Sequence, residues 1–290
     1  MDILLVVNPI AGGNSKDEFV RYAKGYLDTS NISYQFYKTT GKQDAKKVDT
    51  LLKRHSPHKV IVVGGDGTLH LLLKPLIHYK CKVGFIPMGS ANGMAIELGI
   101  NKSPKLLFKH YLDSITTHPL DVLSINDTYL LLHLGDVGAN ANLVAKYDQD
   151  EGRGLLTYAK HFWDEFQNLK SFDFEIETDQ MDYERKGVML AICNGRRFGT
   201  GIPLNSIGEM DDAVFELVVV KAMDFLDLLK ATLSKYNEDF SIDRLETLRA
   251  KKATLKFKTP RLLQVDGEVL GSFSKLTVEI LPKALHVIKL

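Results

Sequence analysis

The 290-residue sequence is poor in cysteine, with only Cys81 and Cys193, which lie far apart and each within an apolar run. A disulfide framework or a zinc site needs more cysteines at closer spacing, so two buried thiols in a reducing compartment are expected. No apolar run approaches the roughly 20 residues that span a bilayer, and the N-terminus lacks the basic start and long apolar stretch of a secretory signal. A cytoplasmic protein is therefore expected.

The sequence also lacks an excess of charge of either sign. Its 37 Lys and Arg residues are balanced by 36 Asp and Glu residues, for a formal net charge of +1. Nucleic-acid binding needs a surplus of basic residues to neutralise phosphates, which argues against nucleic acid as the main partner. Hydrophobic residues make up 44% and charged residues 25%, which is ordinary globular usage. At roughly 150 residues per domain, the length predicts about two domains.

Strand and helix patterns alternate through the first 120 residues. Continuously apolar runs, typical of strands buried on both faces, lie at residues 3–7, 60–63 and 82–86. An alternating run at 33–37 predicts a further strand, and helical spacing appears at residues 17–27, 44–55, 68–79 and 90–98. Repeated strand–helix units predict an α/β domain with a parallel sheet and helices on both faces.

From about residue 120 the pattern changes to alternating and β-branched runs, which predict an antiparallel, β-rich sandwich domain. Helical patterns at residues 155–169 and 225–236 interrupt it, and Asn126-Asp127 is a hairpin signal. We therefore divide the chain into an α/β domain at residues 1–120 and a β-rich domain at 121–290. The last residues, about 284–290, are expected to return to the first domain.

Three loops rich in glycine and small residues follow predicted strands of the α/β domain. They are Asn8-Pro9-Ile10-Ala11-Gly12-Gly13, Gly64-Gly65-Asp66-Gly67-Thr68 and Pro87-Met88-Gly89-Ser90-Ala91-Asn92-Gly93. Ligands of parallel α/β sheets bind at the carboxyl ends of the strands, and glycine lets backbone amides approach an oxyanion at a helix N-terminus. Three such loops on one sheet predict a phosphate-binding site.

Neither a P-loop nor a dinucleotide fingerprint is present, since G-x-x-x-x-G-K-[ST] and a G-x-G-x-x-G after the first strand are both missing. The second loop instead carries an acid, Asp66. A carboxylate repels phosphate, so Asp66 suits a Mg²⁺ ligand or a proton acceptor. The alternative is that Asp66 caps the helix that follows it.

Together these loops resemble the diacylglycerol kinase catalytic-domain superfamily, which includes sphingosine and ceramide kinases and soluble bacterial lipid kinases. Val265-Asp266-Gly267-Glu268 resembles the Asp-Gly-Glu strand of that family. The resemblance implies a first domain of NAD-kinase or phosphofructokinase type, ATP as phosphoryl donor, Mg²⁺, and a lipid hydroxyl as acceptor. It implies that the β-rich domain supplies the lipid-binding cleft.

Carried over by position, the resemblance assigns the nucleotide to residues of the three loops and to the threonine of a T-x-x-x-x-D-A pattern. These are Asn8, Pro9, Gly12, Gly13, Thr39, Gly64, Gly65, Gly67, Thr68, Gly89, Ser90 and Asn92. Ser90 stands where the family usually has Thr. Lys16 lies just after the first loop and is a candidate for neutralising phosphate, although a solvated lysine at a helix start is an equal alternative.

The resemblance leaves the general base open. In soluble bacterial members the acid of the Asp-Gly-Glu strand accepts the proton, which points to Glu268, with Asp266 beside the metal; in sphingosine kinases the acid of the glycine loop does so, which points to Asp66. We predict that Asp66 and Asp266 organise Mg²⁺ and that Glu268 or Asp266 takes the proton. Asp266 and Glu268 face the same way if this segment is extended, whereas Asp-Gly is also a hairpin-turn signal.

A second metal site is implied near Asp212. The segment Glu209-Met210-Asp211-Asp212-Ala213-Val214 resembles the D-D-G-L segment in which one Asp and two carbonyls of the family hold a structural Mg²⁺. Asp212 is the matching carboxylate, and Ala213 replaces the usual Gly.

The partners expected on this basis are a lipid substrate at a membrane surface, with peripheral contact and no transmembrane segment; a homodimer is left open. Basic residues at 249–261 and at Arg196-Arg197, and aromatic residues Phe162, Trp163 and Phe166, are candidates for headgroup and acyl-chain contact. Two alternatives remain: an NAD kinase-like phosphotransferase, and a non-catalytic nucleotide or lipid sensor. The sequence does not identify the lipid.

Overall fold

The chain divides into two compact units. The computed structural model describes residues 1–13, 15–138, 170–198, 202–205, 207–222 and 245–290. The α/β unit comprises Met1–Leu120 and Lys283–Leu290, and the β-rich unit comprises Asp121–Pro282. The predicted helices at 155–169 and 225–236, and the aromatic residues Phe162, Trp163 and Phe166, lie outside the described residues.

The α/β unit is built on a parallel sheet. Its elements in chain order are β1 (Ile3–Val7), α1 (Asp17–Thr29), β2 (Tyr34–Lys38), α2 (Asp44–His55), β3 (Lys59–Gly64), α3 (Asp66–His78), β4 (Lys82–Pro87), α4 (Gly93–Glu97) and α5 (Pro104–Asp113). The strands lie in the order β4-β3-β1-β2, with Ile3 opposite both Lys59 and Tyr34. This confirms the predicted α/β class.

Helices cover both faces of this sheet, as is required where strands carry apolar side chains on both faces. One core contains Phe19 and Leu27 of α1, Phe108 and Tyr111 of α5, and alternate residues of the strands such as Leu5. Helices α2 and α3 pack against each other, and α3 also packs on β3. Strands β1, β3 and β4 therefore bury both sets of their side chains, which explains their continuous apolar runs, whereas the edge strand β2 is only half-buried.

The β-rich unit is antiparallel. Its elements are β5 (Thr117–Ile125), which begins in the α/β unit, β6 (Tyr129–Leu131), β7 (Leu134–Val137), β8 (Phe172–Thr178), β9 (Asp182–Gly187), β10 (Met189–Cys193), β11 (Arg197–Phe198), β12 (Ile202–Pro203), β13 (Phe215–Val220), β14 (Leu245–Ala250), β15 (Lys252–Val265) and β16 (Glu268–Ile288). Strands β14, β13, β10, β7 and β15 are hydrogen-bonded in that order. An apolar core of this unit includes Leu190, Leu217 and Leu255, in agreement with the predicted sandwich.

Strand β15 is a single strand with a register irregularity between Lys256 and Arg261. Its first half pairs with β8 and its last residues pair with β7, so the irregularity lets one strand serve two partners. Asn126 and Asp127 both have positive φ in the β5–β6 connection, as the hairpin signal predicted.

Strand β16 ends in the α/β unit, where His286 and Val287 lie opposite Lys82 and Val83 of β4 in parallel register.

Helix α5 was not predicted from the apolar spacing. Its start is marked by Ser103 at the N-cap and Pro104 at the first helical position, and proline at the first turn is itself a helix signal.

We predict that Gly84→Ala destabilises the α/β unit. A Cβ at Gly84 would lie 2.6 Å from Cδ2 of Tyr111, whose hydroxyl donates to the Phe85 carbonyl at 2.8 Å. Overpacking of this kind costs about 1–3 kcal/mol, measurable by urea unfolding. Gly25→Ala in α1 is the control, because its Cβ meets no atom within 4 Å. That variant should gain stability, and equal stabilities of the two variants would contradict the packing argument.

Candidate functional site

The three glycine loops meet at the carboxyl ends of β1, β3 and β4, and they touch through their backbones. A Cβ at Gly12, whose φ is +63°, would lie 2.8 Å from the carbonyl oxygen of Met88. A Cβ at Gly89 would lie 2.4 Å from the Cα of Gly65. These approaches leave no room for a side chain, so glycine is required at Gly12 and Gly89 for the loops to converge.

Two asparagines predicted to contact the nucleotide hold the loops together. The Asn8 Nδ2 donates to the Thr68 Oγ1 at 2.9 Å, which ties the first loop to the second. Asn92 has φ of 53°, accepts a hydrogen bond from the Gly89 amide at 2.8 Å and donates to the Gly89 carbonyl at 2.9 Å. Asn92 thereby closes the third loop on itself.

Asp66 links the second loop to α4. Its Oδ2 accepts the Gly93 amide at 2.7 Å and its Oδ1 accepts the Met94 amide at 3.0 Å. The alternative that Asp66 caps the helix that follows it does not hold, since Gly65 is the N-cap of α3 and Asp66 instead accepts the first two amides of α4. Each carboxylate oxygen accepts one of these amides, which leaves lone pairs for a further ligand.

Lys16 is folded into the first loop. Its side chain is almost fully buried, its Nζ donates to the carbonyl of Ala11, and burial lowers the pKa of Lys16. The alternative of a solvated lysine at a helix start is therefore wrong. The ammonium group stabilises the turn of the first loop from inside.

A fourth loop, at the end of β2, is organised by the buried carboxylate of Asp44. Asp44 accepts hydrogen bonds from the Tyr37 hydroxyl at 2.5 Å, the Thr40 amide at 2.9 Å and the Gly41 amide at 2.7 Å. Thr39, predicted to contact phosphate, is buried beside β1, with its amide donating to Val7 at 2.9 Å. The T-x-x-x-x-D-A pattern marked Asp44 without indicating its role, and Tyr37 was missed.

The remaining predicted residues of the α/β unit differ in exposure. Gly13, Gly67 and Ser90 are exposed, Pro9 and Gly65 are half-buried, and Gly64 and Thr68 are buried. A Cβ at Gly64 would lie 2.4 Å from the Thr68 Oγ1, so Gly64 makes room for the threonine. The loops therefore present exposed small residues around a packed base, which suits an anion that approaches from solvent.

In the β-rich unit Asp266 and Gly267 form the turn between β15 and β16, with φ of 47° and 92°. The segment is therefore not extended, and the argument that Asp266 and Glu268 face the same way fails. The Asp266 carboxylate accepts the amides of Leu132, His133 and Leu134 at 2.8–3.0 Å. Asp266 thus fixes the β6–β7 connection, whereas Glu268 is exposed at the start of β16.

Asp212, predicted to hold a metal, is paired with an arginine. Its Oδ2 contacts the Arg249 guanidinium, and Arg249 Nε donates to Glu216 Oε1 at 3.2 Å. Glu216 is buried, and burial raises its pKa. Neither Glu216 nor Asn205, which donates to Glu216 at 2.7 Å, was singled out from the sequence, although an acid inside the apolar run of β13 was a signal.

The basic stretch expected at a membrane surface is largely paired. Besides Arg249, Lys252 pairs with Glu279 at 2.9 Å, Lys256 pairs with Glu177, and Arg261 lies over the Phe172 ring at 4.3 Å. Arg196 Nε donates to the Gly208 carbonyl at 2.6 Å. Much of this positive charge is therefore used within the β-rich unit.

Within the described ranges, no three His, Cys, Asp or Glu side chains are grouped as a protein-built metal site needs. Among the helices of those ranges, none is both long and apolar enough to span a bilayer.

The chain matches two family models that together cover nearly all of it. The model described as the diacylglycerol kinase catalytic domain matches residues 2–125, and the model described as the YegS C-terminal NAD kinase beta sandwich-like domain matches residues 136–289. The chain belongs to the diacylglycerol kinase catalytic-domain family with a YegS-type C-terminal domain, and it is an enzyme of the kinase class.

Named relatives and solved structures agree with this assignment. The probable lipid kinase YegS of Salmonella arizonae is 25% identical over 98% of this chain and 95% of its own length. The probable lipid kinase YegS-like protein of Citrobacter koseri is also 25% identical, over 98% and 94%. The structure of a diacylglycerol kinase from Bacillus anthracis str. Sterne has 18% identity and a TM-score of 0.75, covering 100% of this chain and 97% of that chain, which shows the same fold.

We predict that Asp44→Asn loosens the fourth loop and destabilises the protein at neutral pH by about 1–3 kcal/mol, because a charged acceptor of several hydrogen bonds is lost. Burial alone would raise the pKa of Asp44, but the hydrogen bonds from Tyr37, Thr40 and Gly41 hold it below its ordinary value of 3.8. The contribution is therefore complete above that value and declines as pH falls below it.

Urea unfolding of both proteins between pH 3 and pH 7 measures this difference. Asp182→Asn, at an exposed carboxylate at the start of β9, is the control and should match the parent. A stability gap between Asp44→Asn and the parent that widens on acidification would contradict the assignment.

Proposed function

We propose that the protein transfers the γ-phosphoryl group of ATP to the hydroxyl group of a lipid. The observation that carries this proposal is the convergence of three glycine loops at one edge of a parallel sheet, in a chain of the diacylglycerol kinase catalytic-domain family. Two relatives that match this chain over nearly its whole length carry the name probable lipid kinase, which supports a lipid acceptor.

The nucleotide phosphates are proposed to lie over the exposed parts of the loops. Gly13, Gly67 and Ser90 are exposed and carry small side chains or none, and Gly67 lies in the first turn of α3. The partial positive charge at that helix N-terminus favours the phosphates. Thr39 and Thr68 border this surface, while Asn8, Asn92 and Lys16 keep the loops in place.

The acids are proposed to act in different ways. Asp66 fits a Mg²⁺ ligand, since its oxygens retain lone pairs, and Mg²⁺ commonly uses one or two carboxylates together with the phosphates of its nucleotide. When bound, that ion would offset phosphate charge. Asp266 accepts three successive amides of the β6–β7 connection. We therefore assign it the positioning of that connection rather than a metal-ligand role. Glu268 is then the proposed acceptor of the lipid hydroxyl proton.

The activity is tested by incubating the purified protein with labelled ATP and vesicles of a total lipid extract. A labelled phospholipid one phosphoryl group heavier than its precursor is expected by mass spectrometry. Label that appears in NADP when NAD is supplied instead, with none in lipid, would favour the NAD kinase alternative. Binding of ATP without any phosphorylated product would favour a sensor.

We predict that Asp66→Asn and Glu268→Gln each lower kcat by about 100-fold or more, the usual range for loss of a proton acceptor or charge-organising acid. Thermal unfolding of Glu268→Gln should remain close to that of the parent, whereas Asp66→Asn should unfold at a lower temperature, because the Gly93 and Met94 amides lose a charged acceptor. The kcat of Asp66→Asn is therefore measured well below its unfolding temperature. Glu279→Gln is the control, since Glu279 is an exposed carboxylate on the same strand as Glu268. Full activity in Glu268→Gln would assign proton transfer to Asp66.

A further inference from the structure

The turn that contains Asp212 offers a test of the structural Mg²⁺ that the family resemblance implies. Such a site needs one carboxylate and two carbonyl oxygens with room for a divalent ion. In this chain the Asp212 Oδ1 already accepts the Val214 amide at 3.2 Å, and its Oδ2 is bound by the Arg249 guanidinium. Both carboxylate oxygens are therefore engaged.

Two carbonyl groups in or beside this turn also accept hydrogen bonds. The Met210 carbonyl accepts the Asp121 amide at 2.6 Å. The Gly208 carbonyl accepts the Arg196 Nε at 2.6 Å. The guanidinium on Asp212 weighs more, because a divalent ion would have to displace Arg249 from this carboxylate or bind against its positive charge. The residues present do not fit the ion.

Ala213 shows how the turn keeps its shape. Its φ is 62°, the left-handed conformation that the glycine of the family pattern would adopt freely. The Ala213 amide donates to the buried carboxylate of Asp121 at 2.7 Å, which anchors the turn to β5. The turn is thus held by side chains of the chain itself.

Arg249 provides the positive charge. From β14 it reaches across to β13, where Glu216 lies directly opposite it in the strand register, and to Asp212 just before that strand. Glu216 is 1% exposed and also accepts a hydrogen bond from the buried Asn205 at 2.7 Å. One guanidinium therefore neutralises two acids and uses its planar fork to bond both.

We propose that the Arg249 guanidinium takes the place of a divalent cation at this turn, so that the β-rich unit is stabilised without a structural metal. This proposal is independent of the phosphoryl-transfer activity. It implies that Asp212 has no metal ligand role in the native protein and that removal of Arg249 opens the acid pair to a cation.

Thermal unfolding of the full chain, without nucleotide, in EDTA and in millimolar MgCl₂ or CaCl₂ tests the first implication. The parent and Asp212→Asn should show equal metal-induced shifts in Tm, because any cation that binds does so elsewhere. A metal-induced shift in the parent that Asp212→Asn abolishes would overturn the proposal.

The second implication is tested with Arg249→Met. In EDTA its Tm should fall by about 5–10 °C, because a buried acid loses its partner. MgCl₂ or CaCl₂ should recover part of that loss, and the double variant Arg249→Met/Asp212→Asn should not respond. Lys252→Met, which removes an exposed pair on the next strand, is the control and should behave like the parent.

An Arg249→Met protein that folds but gains no metal response would refute the substitution of guanidinium for metal. If Arg249→Met does not fold, Arg249→Lys serves instead. A lysine reaches one acid at a time, so a smaller Tm loss and a weaker metal response are expected. An Arg249→Lys protein with the stability of the parent and no metal response would also refute the proposal.

Discussion

The close approach of backbone to backbone at Gly65 and Gly89 is the constraint on which the phosphate-binding edge depends. Two loops on neighbouring strands meet where no Cβ fits, and the first loop joins them at Gly12. The glycines allow the loops to approach this closely, and the side-chain hydrogen bonds of Asn8 and Asn92 then stabilise the loops in that arrangement. The amides are positioned before any ligand arrives, which lowers the ordering cost of binding.

Three carboxylates of the motifs in this chain act as acceptors for backbone amides. Asp44 holds the loop after β2, Asp66 holds α4, and Asp266 holds the connection before β7. Each joins a turn to a neighbouring segment, with a charge-assisted bond that is stronger than a neutral one. An acid in a sequence motif can therefore be indispensable for shape, and loss of activity on its removal does not by itself identify a catalytic group.

The sequence predicted the strand–helix alternation and the edge where the loops meet, because burial on both faces and glycine after a strand leave direct marks in the chain. It could not show which partner each polar group takes. In the sequence, Arg249 is one of several basic residues in a stretch. Its role depends on the strand pairing that places it opposite Glu216, which is 33 residues away in the sequence. At Asp266 the sequence left an extended segment and an Asp-Gly turn both open, and the structure has the turn.

The pairing of β16 with β4 also determines when the α/β unit can be completed during synthesis. Four strands of that sheet are encoded in the first 87 residues, but the free edge of β4 pairs with residues 286 and 287, about 200 residues later. His110 and Thr116 further bond Lys289. A chain in synthesis must therefore carry an open sheet edge from the completion of β4 until residues 286 and 287 are available, a period in which chaperones or a neighbouring nascent chain can compete for it.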